Sequence, residues 1–131
     1  MSKKILPLII ILLICFSGCS NGFIPAGGKV MYEDGSPLTN GGIAFSTYNF
    51  MADAKIQPDG TFKLSSLKPD DGLPPGTYKV TIDASETDTK EKTVYLVDPV
   101  FADTATTPLT AEVTSGTKYF VFKVRKPAVK R

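Results

Sequence analysis

The chain has 131 residues, enough for one domain, with 15 basic and 13 acidic side chains, two cysteines, no histidine and no tryptophan. The missing histidine removes Ser-His and Cys-His nucleophiles and histidine metal ligands. The formal charge of +2 vanishes once Lys3 and Lys4 are set aside, so the basicity belongs to the first segment and is no nucleic-acid footprint.

That first segment has the order of a secretory signal. Lys3 and Lys4 form a basic start, Ile5 to Ile14 run apolar apart from Pro7, and small Ser17 and Gly18 precede Cys19. The apolar run is about ten residues, half of the roughly 20 that a membrane-spanning helix needs. Phe16-Ser17-Gly18-Cys19 resembles the lipobox of bacterial lipoproteins, with phenylalanine where leucine is usual. The resemblance implies cleavage before Cys19, a diacylglyceryl thioether on its thiol, and a lipid-anchored place in the cell envelope. Ser20 at the next position implies the outer membrane in a Gram-negative cell. Residues 1–18 are therefore expected to be a signal helix that is removed, and residues 19–26 a tether reaching roughly 27 Å when extended. Cys15 lies within the signal, so the mature chain has no second cysteine for a disulfide.

From Gly27 the apolar period is two, the mark of strands with one buried face. The alternating sets are Val30 and Tyr32; Ile43 and Phe45; Ala52, Ala54 and Ile56; Phe62 and Leu64; Tyr78, Val80, Ile82 and Ala84; Leu109, Ala111 and Val113; and Phe120, Phe122 and Val124. Turn residues separate them at Asp34-Gly35-Ser36-Pro37, Asn40-Gly41-Gly42, Pro58-Asp59-Gly60, Pro74-Pro75-Gly76 and Ser115-Gly116. Asp98 to Ala102 suits a single helical turn, because Pro99 fits a first helical position. The expectation is an all-β fold, a single seven-stranded antiparallel β-sandwich over residues 27–126, followed by a basic tail at 127–131. Lys123, Arg125, Lys126, Lys130 and Arg131 crowd that end. They read as a solvated tail in preference to a contact with anionic head groups.

Several segments resemble carboxypeptidase regulatory-like domains, which are transthyretin-like (prealbumin-like) or Ig-like sandwiches. They are Gly28-Lys29-Val30, Asp34-Gly35-Ser36-Pro37-Leu38, Gly42-Ile43-Ala44-Phe45, the run from Gln57 to Leu64, and Pro75-Gly76-Thr77-Tyr78. The end of the chain is similar to small planctomycete lipoproteins of this type. The resemblance covers roughly residues 27–124. It implies a buried tyrosine at Tyr78 and a hairpin at Asp59-Gly60, and it carries little about function. Enzymatic relatives of the sandwich, the hydroxyisourate hydrolases and intradiol dioxygenases, rely on histidines absent here.

The remaining chemistry is sparse. Asp70-Asp71-Gly72 reads as a turn, without the ligand spacing of a calcium loop. Lys29 has no asparagine or aspartate within residues 118–126 for an isopeptide bond. No metal or other cofactor is expected, and no enzymatic activity. The expected role is a non-catalytic structural or protein-interaction module whose partners are the membrane, through lipid on Cys19, and an envelope protein or glycan. The alternative is a binding protein for a small ligand or carbohydrate. Its expected surface comprises Tyr48 and Phe50, which interrupt the strand pattern, and Tyr95 and Phe101, which lie in the long connection from Thr87 to Pro108.

Overall fold

The computed structural model describes residues 22–87 and 90–127. The expected signal segment 1–18, the expected lipidation residue Cys19 and the last four residues of the basic tail lie outside the described residues. The described chain is all-β. Its strands are β1 (Gly27–Tyr32), β2 (Gly42–Ser46), β3 (Met51–Lys55), β4 (Thr61–Lys63), β5 (Gly76–Asp83), β6 (Ser85–Thr87), β7 (Thr93–Tyr95), β8 (Thr110–Val113) and β9 (Tyr119–Val124). A 3-10 turn, Pro99–Ala102, stands between β7 and β8.

Three sheets form: β4-β1-β9, β3-β2-β5-β8, and the small hairpin β6-β7. The expectation of seven wholly antiparallel strands is thus corrected twice. There are nine strands among the described residues, and β1 pairs with β9 in parallel, from Gly27↔Tyr119 to Tyr32↔Val124. Alternation reveals which face of a strand is buried, but not the direction of its neighbour. The turn at Thr114 and Thr117, closed by two 3.1 Å backbone bonds, carries the chain from the edge of the four-stranded sheet to the edge of the three-stranded one. There β9 sets out from the same end as β1. Since β1 lies between β4 and β9 and not beside β2, the order also departs from the ABED/CFG sheets of immunoglobulin domains.

The two larger sheets face each other across an apolar layer. Phe45 of β2 is fully buried. Its ring meets Phe62 at 6.3 Å, Tyr78 at 6.3 Å, Phe120 at 5.5 Å and Phe122 at 5.9 Å, joining strands of both sheets. Val30, Val80, Ile82, Val113 and Val124 fill the layer around it. Burying each such side chain is worth about 1.5–3 kcal/mol. The Tyr78 hydroxyl escapes an unpaired burial by donating to the Pro74 carbonyl at 2.7 Å.

Turn chemistry sets the register. At the turn between β3 and β4, which passes the chain from one sheet to the other, the Gly60 amide donates to Gln57 O at 2.8 Å, and Gly60 takes φ +88°, a region that favours glycine. The Asp59 carboxylate accepts from the Thr61 amide and hydroxyl at 3.0 and 2.6 Å. Leu38, Ile56, Leu64, Leu73, Val97 and Phe101, all buried, close the ends of the layer.

Candidate functional site

The strand directions give the molecule two ends. At the proximal end the chain enters at Gly22, β1 and β9 begin, and the β2–β3 turn and the 66–71 loop project. At the distal end lie Tyr32, Gly41, Asp83 and Arg125. The entering chain is pinned at once. Phe23 packs edge-on against Phe50 at 5.9 Å, and Ile24 exchanges backbone bonds with Leu73 at 2.8 and 3.2 Å.

The 66–71 loop is organised by Asp71. Its Oδ1 accepts from the Ser66 amide at 2.8 Å, and its Oδ2 from the amides of Leu67 and Lys68 at 3.1 and 3.0 Å. Partial burial pushes this carboxyl up, but the amides of Ser66, Lys68 and Leu67 and the Ser66 hydroxyl outweigh it and hold the group below its ordinary value. Asp70, at φ 59°, donates its amide to Ser65 Oγ at 2.7 Å. Asp70 and Asp71 therefore shape a turn. The bridge Asp53↔Ser65 ties the start of the loop to β3.

The four aromatic residues singled out in the sequence do not share one surface. Tyr48, 98% exposed, and Phe50, half-buried, stand together on the proximal turn. Tyr95 is exposed on β7 at the distal end. Eight residues of β5, roughly 25 Å of strand, separate the two locations. Phe101 does not join a binding surface, because only 4% of it meets solvent. The Asp98 side chain accepts from the Val100 amide at 3.0 Å, and the 3-10 turn that follows aims Phe101 into the distal end of the core. Arg125 lies over the outer face of that ring at 5.3 Å and pairs with Asp98 at 3.1 Å. Lys126 lies over Tyr32 at 5.1 Å. The chain thus runs toward the basic tail from the distal end, with Arg125 and Lys126 just before it against aromatic rings.

Two concavities flank β4. One, about 780 Å³, runs between β3 and β4 and is lined by polar side chains that include Asp53, Lys55, Gln57, Lys63, Ser65 and Asp70. The other, about 510 Å³, has Gly27 and Gly28 in its floor and Tyr119 and Asp70 at its rim. Sequence reasoning missed both. Their lining residues read as the wet faces of separate strands, and only the approach of two sheet edges turns them into a groove. Among the described residues no group of three carboxylates, cysteines or histidines is placed to hold a metal ion. No protein-family model, curated protein or solved structure matches this chain.

Proposed function

We propose that this chain is a lipid-anchored protein of the cell envelope whose β domain works without catalysis, as a structural or protein-interaction module. The observation that carries the reading is the Phe16-Ser17-Gly18-Cys19 run behind a basic and apolar start. Two facing sheets of three and four strands support a transthyretin-like sandwich of the carboxypeptidase regulatory type, with β6-β7 as an added hairpin. Two acyl chains at ~0.8 kcal/mol per buried methylene make such an anchor stable where a single chain is marginal. The test is metabolic labelling with a fatty acid, followed by mass analysis of the mature N-terminus. Acylation should fall on Cys19 and disappear in Cys19→Ala, which should accumulate as precursor. Labelling that persists in Cys19→Ala overturns the reading.

A second reading, a binding protein for a small ligand or carbohydrate, draws on the groove between β3 and β4. Its volume lies within the roughly 300–1,000 Å³ of ligand sites, and Asp53, Gln57, Lys63 and Asp70 offer both donors and acceptors. Calorimetric titration with envelope oligosaccharides tests it. Binding that weakens in Lys63→Ala supports this reading, and the absence of heat at millimolar sugar counts against it.

A further inference from the structure

We propose that the proximal end of the domain is a membrane-docking face, with Tyr48 and Leu67 on its projecting loops seated in the interfacial zone of the bilayer that holds the Cys19 lipid. The inference rests on the anchoring reading above and adds to it an orientation and a contact surface.

Reach comes first. Only three residue steps separate Cys19 from Gly22, and fully extended chain covers about 3.3–3.6 Å per residue, so Gly22 lies within roughly 11 Å of the lipidated sulfur's backbone. From Phe23 onward the chain has no freedom to swing. The Phe23–Phe50 ring contact and the Ile24–Leu73 bridge fix it to the domain. An anchor at Cys19 therefore brings this end, and no other, against the lipid.

Composition comes second. Tyr48 is 98% exposed, Leu67 76%, Tyr119 65% and Met51 59%. Tyr48 and Leu67 sit on separate loops that both project at this end, while Met51 and Tyr119 flank them on the outer faces of the two sheets, since Ala52 and Phe120 beside them turn inward. Tyrosine suits a membrane–water boundary because its ring is apolar and its hydroxyl stays wet. Lys68 and Lys118 lie among these residues, on the 66–71 loop and just before β9, where ammonium groups can meet lipid phosphates. The Asp71 carboxylate is turned inward onto the amides of its own loop, which leaves exposed Asp70 as that loop's one outward acidic group against the ammonium groups of Lys68 and Lys118. The distal end differs. It carries exposed Asp34, Asp59, Asp83 and Glu86 alongside Arg125 and Lys126, and its exposed apolar pair, Val94 and Tyr95, stands a full length of β5 away from the tether.

The chain lacks tryptophan, so a single introduced indole reports its own surroundings. Full-length lipidated protein carrying Tyr48→Trp, Leu67→Trp or Tyr95→Trp is reconstituted into phosphatidylcholine vesicles whose acyl chains are brominated near the head group. Docking predicts about twofold quenching for Tyr48→Trp and Leu67→Trp, at a burial depth of about 5–10 Å, and no quenching for Tyr95→Trp. Equal quenching at all three sites, or none at Tyr48→Trp and Leu67→Trp in protein that floats with the vesicles and carries acyl chains, overturns the docking face and leaves the anchor intact. Protein with no acyl chain on Cys19 overturns the anchoring reading itself.

Discussion

Phe45 and Gly28 show opposite ways in which one residue can decide this fold. Phe45 contributes bulk, since its ring touches four other aromatic rings drawn from both sheets. Phe45→Ala removes that centre and should cost about 3–5 kcal/mol, read as a lower urea midpoint at unchanged m-value. Gly28 contributes the absence of bulk. A Cβ there would run into the Phe120 carbonyl across the parallel β1–β9 pair. Gly28→Ala should therefore destabilise by about 1–3 kcal/mol or more, whereas Gly116→Ala, whose new methyl would meet only the Thr114 hydroxyl at 4.0 Å, should leave the midpoint almost unchanged. The need for Phe45 was legible in the sequence as an apolar residue in an alternating run. The need for Gly28 was not, because nothing local to Gly28-Lys29-Val30 discloses that Phe120 will lie beside it.

At the scale of elements, the turns behave as their sequences led one to expect, and the long connection does not. Asp59-Gly60 makes a tight turn, although the strands it joins, β3 and β4, enter different sheets and do not pair as a hairpin, and Asp98 with Pro99 starts a helical turn. The connection from Thr87 to Pro108, in contrast, holds the β6-β7 hairpin and an inward-turned Phe101. A buried hydroxyl pins its end, Thr107 Oγ1 donating to Val80 O at 2.7 Å. The burial of Phe101 could not be read locally, because Arg125, which lies over its ring, comes from another part of the chain. The 66–71 loop permits a sharper test. Two Asp71 oxygens accept three amides, and an asparagine can present only one oxygen to them. Asp71→Asn should therefore speed hydrogen exchange at the amides of Ser66, Leu67 and Lys68 while leaving β5 amides protected, as read by two-dimensional NMR.

For the whole molecule, charge decides how stability responds to pH. The carboxyls of Asp34, Asp59, Asp71 and Asp98 are all held below their ordinary value. The first two are held mainly by hydroxyl and amide bonds from Ser36 and Thr61, and Asp98 by the Val100 amide. A carboxyl with a lowered folded value favours the folded state while ionised. Its contribution is complete above the unfolded value of 3.8 and disappears as pH falls through the folded value. With no histidine in the chain, thermal stability should stay nearly flat from about pH 5 to 8 and drop below about pH 4. A midpoint that already changes strongly between pH 6 and 7 would contradict this account. The sequence by itself determined the all-β character, most strand positions and the turns, because side-chain period and the demands of glycine, proline and aspartate are local properties. The proposal of an anchor at Cys19 also comes from the sequence, since processing signals of that kind are read as linear text. Only the tertiary structure decided that β1 and β9 run parallel, that a groove opens between β3 and β4, and that Tyr48 and Tyr95 stand at opposite ends. Those facts depend on which strand edges meet and in which direction, and pairing between residues some 90 apart, such as Gly28 and Phe120, leaves no trace in the spacing of either segment.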